Sequence, residues 1–171
     1  MALFAANTGC RDGEICSLRW QWHVTVPKLN TAVFIIPGDY VKNSDERLVV
    51  LNSIANDIVS KQRGTNAEFV FTYKGTPVTR MLNTAWIRAR KVTGLEQVRV
   101  HDLKHTCGRR LRSKGGSFKD RQDLLGHRSG RTTHYSAAEL SRPLEAANSV
   151  CDQPDGGSQP EIVVLRRLSV S

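Results

Sequence analysis

His101-Asp102-Leu103-Lys104-His105 sets two imidazoles at i and i+4, a spacing that puts both on one side of a helix. The same spacing holds zinc in H-E-x-x-H proteases, where the glutamate works on a metal-bound water. Asp102 replaces that glutamate here, is one methylene shorter, and no convincing third ligand lies nearby in the sequence. A zinc-dependent hydrolase using His101 and His105 is therefore a remote alternative. The favoured reading puts one imidazole in a site and packs the other inside. Leu125-Gly126-His127 places a further histidine just past a helix-ending glycine. Thr8-Gly9-Cys10-Arg11-Asp12-Gly13-Glu14 reads as a tight turn that sets Arg11 at a helix start, where side chain and N-terminal amides can face an anion. Lys42 and Tyr135, the latter in Thr132-Thr133-His134-Tyr135-Ser136, complete the set. Singly, each has an ordinary structural explanation; a lone tyrosine is usually a packed amphipath.

Charge suggests what such residues act on. The 171-residue chain carries 25 Lys plus Arg against 16 Asp plus Glu, a formal charge of +9. The excess is concentrated between Arg99 and Arg131, where ten basic residues meet three aspartates for a local charge of +7. A polyanionic partner fits that balance. At 39% hydrophobic residues the chain can build one domain core and is not a disordered polyelectrolyte. No apolar run approaches the ~20 residues of a membrane span, and the first residues lack the basic and apolar regions of a signal peptide. The four cysteines form no C-x-x-C pair and no disulfide framework, which points to a reduced, cytoplasmic setting.

The elements that must position these residues read as follows. Residues 2–20 are helical with a break at Asn7-Thr8-Gly9, and Thr8 or Asp12 can cap the second helix. Three β-strands follow between Trp22 and Leu51: one at Val24–Val26, with Val24 and Val26 alternating with Thr25; one at Val33–Ile36; and one at Arg47–Leu51. Turns at Pro27-Lys28-Leu29-Asn30 and Asn43-Ser44-Asp45 join them, so Lys42 sits at or near a hairpin tip. Asn52 caps a helix to about Lys61, Phe69–Phe71 is a short strand, and Lys74-Gly75-Thr76-Pro77 a turn. Thr79 is the expected cap of a helix from Arg80 to about Val92. His101–Lys114 is a helix stopped by Gly115-Gly116, and Ser117-x-x-Asp120 opens a short helix that ends at Gly126. Leu140–Val150 is a last amphipathic helix with Pro143 in its first turn. Beyond it the composition becomes linker-like. An apolar run, Ile162 to Leu165, suggests a short strand able to pair with a sheet edge here or in a neighbouring protomer, with a frayed tail as the equal alternative.

Taken in order, five segments form a pattern: T-G-C-R-D-G-E-I at 8–15, V-K-N at 41–43, H-D-L-K-H-T at 101–106, L-G-H at 125–127 and T-T-H-Y at 132–135. This series resembles the ordered active-site set of the tyrosine recombinases, the phage integrase family, over about residues 1–150. The resemblance implies an α+β catalytic domain, mainly helical with a small three-stranded antiparallel sheet, over 1–150, followed by a linker and tail at 151–171. It also implies that a preceding core-binding domain, and a first catalytic-domain helix, are absent from this chain. The implied site is Arg11, Lys42, His101, Lys104, His127 and the nucleophile Tyr135. Arg99, Arg109, Arg110, Arg112, Arg128 and Arg131 are the implied contacts to DNA phosphates.

The implied activity is cleavage and rejoining of double-stranded DNA through a 3′-phosphotyrosyl link, in integration or excision of mobile DNA, with no metal or nucleotide cofactor. A homotetramer on DNA, with the C-terminal segment exchanged in trans, is the implied assembly of the full-length protein. Two departures stand out. Position 104 is lysine where the family's H-x-x-R carries an arginine, which exchanges a planar two-pronged donor for a point charge. The interval from His127 to Tyr135 is one residue shorter than the family's. These departures motivate the second reading, a catalytically weakened or inactive DNA-binding remnant of the same fold.

Overall fold

The computed structural model describes residues 1–115, 117–126 and 137–149. The chain opens with α1 (Ala2–Thr8) and α2 (Asp12–Cys16). Three strands follow, β1 (His23–Val26), β2 (Thr31–Ile36) and β3 (Arg47–Val50), paired antiparallel in the order β1-β2-β3. Next come α3 (Ser53–Ser60), a two-stranded hairpin of β4 (Thr72–Tyr73) and β5 (Thr76–Pro77), and α4 (Thr84–Thr93). The chain continues with α5 (Val100–Ser113), α6 (Phe118–Leu125) and α7 (Ala137–Ser149). This is the α+β class, mainly helical with a small antiparallel sheet. No helix among the described residues is long and apolar enough to cross a membrane.

The central strand explains why the sheet needs helices on both sides. Thr31–Ile36 is apolar at five successive positions, so a strand made of it must bury both faces. Phe34 and Ile36 join one core with Phe4, Ile15, Leu51 and Val59, while Val33 joins Val50, Cys107, Leu111, Leu124 and Leu144 in the second. Helix α1 packs on α3 and α5, and α6 and α7 pack on β3 and on each other. β1 is one edge of the sheet: Val24 and Thr25 are both exposed, so Val24, Thr25 and Val26 do not alternate between core and solvent as the sequence suggests.

Several boundaries differ from the sequence reading, and at α2 and α4 a long-range bond outranks a local one. Thr8 is no cap. It closes α1, its hydroxyl donating to Phe4 O at 2.8 Å. Asp12 is no cap either, because its carboxylate accepts the Met81 N–H at 2.7 Å, 69 positions away. Arg11 takes the N-cap position of α2. The Asp12 bond also holds residues 79–83 out of the helix, so α4 begins later than Thr79 predicts, with Asn83 accepting from Trp86 N at 3.0 Å. Phe69–Phe71 makes one bridge, Arg19 to Phe69, rather than a strand; the strand pair is the following hairpin. Helix α7 starts at Ala137, so Pro143 stands in its interior and not in a first turn. Residues 161–167 lie outside the described residues.

Asn52 ties three elements together. Fully buried, it accepts from Ala55 N at 2.9 Å as the cap of α3, and donates to Asn7 Oδ1 at 3.1 Å and to Ala147 O at 3.3 Å. Asn52→Ala removes a cap and strands two acceptors. It should lower unfolding free energy by about 2 kcal/mol in urea denaturation, against a few tenths for an exposed polar-to-Ala change such as Gln97→Ala.

Candidate functional site

Arg11 stands where α1 ends and α2 begins, and a carboxylate three residues on fixes it. Glu14 reaches back over the first turn: Oε2 accepts the Arg11 N–H and Oε1 accepts Arg11 Nη1, both at 2.8 Å. Glu14 is itself 2% exposed, so its charge needs a second partner. Arg47, at the start of β3 and equally buried, supplies it with Nε 3.2 Å from Oε2. Burial by itself would raise the Glu14 pKa; the Arg47 charge and the Arg11 bonds outweigh it and hold the carboxyl below its usual range. Arg47 Nη2 goes on to donate to Gly9 O and Leu124 O, each at 3.2 Å. The guanidinium thus links the end of α1 to the end of α6. Gly126 closes α6 in the left-handed region at φ +61°, and a Cβ there would overlap Arg47 Nη1. That position needs glycine twice over.

Lys42 lies in the β2–β3 loop. Gly38 lets that loop fold tightly, since a Cβ on it would overlap Ser44 O. Tyr40 braces the outer side, its ring 4.9 Å from that of Trp22 and 5.5 Å from the Arg19 guanidinium. From the opposite wall α5 contributes His101, His105 and Arg112 at helical spacing. Both imidazoles are exposed, with ring centroids 4.8 Å apart. This corrects the expectation that one is packed inside. Four residues is a full turn, so the pair shares a face, and the inward positions belong to Leu103 and Cys107. Partial burial, His105 and Lys104 lower the His101 pKa.

Lys104 is 6% exposed, and its Nζ donates to Leu125 O at 2.5 Å. Burial first, then the Arg47 and Arg11 charges, pull its pKa down to about 8. Two cations, Lys104 and Arg47, therefore bond successive carbonyls at the C-terminal end of α6, where the helix dipole is negative.

Arg11, Lys42, His101, Lys104, His105 and Arg112 line one cleft of about 820 Å³. Among the described residues its lining holds the cations Arg11, Lys42, Lys104, Arg109, Arg112 and Arg121 with a single carboxylate, Asp102, which pairs with Arg99 at 3.0 Å. Four of the six residues read from the sequence as the site meet here: Arg11, Lys42, His101 and Lys104. His127 and Tyr135 lie outside the described residues, as do Arg128 and Arg131. Of the other basic residues expected at a backbone, Arg109 and Arg112 line the cleft; Arg99 and Arg110 do not. Among the described residues no group of three or more His, Cys, Asp or Glu gathers around His101 and His105, so the zinc reading lacks a third ligand there. Cys10, Cys16 and Cys107 are buried free thiols whose pKa values burial raises, to about 12 for Cys16 and Cys107.

The sequence reading missed Glu14, Arg47, Asn43, Phe118 and Arg121. Glu14 carried a signal, its capping-box distance from Arg11. Arg121 lay within the basic run. Arg47 carried none, since a charge opening an apolar strand normally faces solvent.

Two outcomes follow from this arrangement. Arg47→Met leaves Glu14 buried without its main counter-charge and should cost about 3–5 kcal/mol in urea denaturation, part of which Glu14→Gln in the same chain restores. For Lys104 the folded pKa is depressed below its unfolded value, so its burial destabilises fully below pH 8 and progressively less toward the unfolded value. The Tm of the parent chain should therefore rise relative to that of Lys104→Met between pH 7 and about 9.5.

The chain matches the model of the phage integrase family over residues 1–140. It is 34% identical to the integrase of Salmonella phage P22 over 164 residues, covering 86% of this chain and 41% of that protein. A tyrosine recombinase XerC of Staphylococcus epidermidis is 27% identical over 151 residues, covering 79% of this chain and 48% of the relative. The XerC of Corynebacterium glutamicum is 42% identical over 62 residues, covering 36% and 20%. The chain thus spans about half or less of the length of the curated relatives it matches. No solved structure matches it. With 140 of 171 residues matched and the five sequence segments in family order, the chain belongs to the phage integrase family.

Proposed function

We propose that residues 1–150 are the catalytic domain of a tyrosine recombinase that cleaves and rejoins double-stranded DNA, with 151–171 as linker and tail. The observation that carries this reading is the meeting of Arg11, Lys42, His101 and Lys104, from three separate segments, in one cationic cleft. Such a cleft attracts a phosphodiester and offers fixed donors to the charge that grows on its non-bridging oxygens. In the proposed reaction the Tyr135 hydroxyl attacks phosphorus and its proton passes to His101 or to solvent. The bond from phosphorus to the 5′-oxygen breaks, and Lys42 protonates that oxygen as it leaves. Arg11, with its two-pronged fork, and His127 hold the non-bridging oxygens. The 3′-phosphotyrosyl link conserves the bond, so the 5′-hydroxyl of a second strand can reverse the step and release Tyr135. In the full-length protein this chemistry takes place in a homotetramer on DNA, with residues 161–167 docking on a neighbour.

The second reading, a DNA-binding remnant with weakened catalysis, has its own observation. Lys104 is committed to Leu125 O and buried, where the family's arginine would place a fork against phosphate. Losing one transition-state donor costs about 10²–10³ in rate.

A covalent-trap assay on nicked duplex separates the two. The chain should give a DNA adduct that survives a denaturing gel and disappears in Tyr135→Phe, with duplex binding unchanged. Binding without any adduct supports the remnant, and an adduct that persists in Tyr135→Phe refutes Tyr135 as nucleophile.

A further inference from the structure

Phe118 is out of place in the cleft. It is 68% exposed, and it opens α6 in a lining whose other side chains, Leu125 apart, are cations and polar groups. Scattered exposed apolar residues are normal, but this one faces the cleft between α5 and the Lys42 loop. The Arg121 guanidinium, one helical turn on, lies 5.9 Å from its ring centroid, and Arg109 and Arg112 line the same cavity. The ring and the Arg121 cation therefore form a unit with an apolar face beside a positive one.

From this we infer that Phe118 and Arg121 together grip one nucleotide of the bound duplex, the ring covering the C–H edge of a deoxyribose while the guanidinium holds its phosphate. The inference rests on the reading of the cleft as a DNA site and adds a nucleotide contact to it. A nucleotide has this same pairing of apolar sugar and anionic phosphate at the same scale. The sugar is the better partner than a base, because a paired base is stacked and reaching its face costs unstacking energy, whereas the sugar edge is already exposed in a groove wall. The cation–π contact holds Arg121 in place before DNA arrives, so less side-chain freedom is lost on binding. The contact carries no sequence information, as is general for sugar and phosphate contacts.

Titration of the full chain with a labelled duplex of arbitrary sequence, over a range of salt concentrations, tests this. Phe118→Ala should weaken binding about three- to tenfold with the salt slope unchanged, and Phe118→Leu should retain most of the affinity. Arg121→Gln should reduce the slope by about 0.9, the share of one phosphate. The two changes combined should be less than additive, since each removes part of one unit. All losses should be equal on a duplex of scrambled sequence. Phe118 is exposed, so its variants should keep the parent circular dichroism and Tm. Parental affinity in Phe118→Ala, under conditions where Arg109→Gln lowers the slope, overturns the inference and leaves the DNA reading standing. A slope unaffected by Arg109→Gln, Arg112→Gln and Arg121→Gln alike overturns both.

Discussion

The buried pair of Glu14 and Arg47 is the constraint on which the cleft depends. Neither charge can stay in a low-dielectric interior alone, so each must find the other and then spend its remaining valences nearby. Glu14 spends them on the backbone and guanidinium of Arg11. Arg47 spends them on carbonyls ending α1 and α6. One ion pair consequently fixes the entry to α2, the first residue of β3 and the last turn of α6 relative to one another. A hydrophobic pair of the same volume could fill the space, but it would have no direction. The charged pair specifies which carbonyls and which arginine lie beside it.

The two-sided sheet makes this pair possible. β2 buries both faces, so one core lies on each side of it. Arg47, opposite Ile36 in the β2–β3 register, enters the interior where these layers meet, at a depth water does not reach. The same packing brings α5 against α1, so that Lys104, one turn below the exposed His101, points inward toward the end of α6. Positive charge is thus held at two depths: Arg47 and Lys104 within, lashing helix ends together, and Arg109, Arg112 and Arg121 at the cleft wall.

Lysine at position 104 shows how depth decides a residue's work. Its amine is a single point donor, and the nearest acceptor is a helix-terminal carbonyl. Burial and two neighbouring arginines weaken its hold on the proton, so the cleft floor titrates near pH 8. An arginine there would remain charged and have donors to spare beyond that carbonyl. A one-residue difference in the sequence is therefore a difference in both charge regulation and donor count.

Local signals in the sequence determined much of this protein. The apolar run of β2, the caps at Asn52 and Ser117 and the glycine stop at Gly126 each act within a few residues, and each element follows them. The segments containing Arg11, Lys42, His101 and Lys104 were legible because their residue types and order are a pattern in one dimension. What tertiary structure alone decided are the contacts that span the chain. Asp12 holding Met81 moved the start of α4, and Arg47 reaching Leu124 crossed 77 positions. Whether the two histidines share an exposed face, whether Lys104 faces phosphate or a carbonyl, and that Phe118 enters the cleft were settled the same way. For Asp12, Arg47 and Lys104 a local preference worth a few tenths to about 1 kcal/mol yields to the larger penalty of leaving a buried charge or amide without a partner.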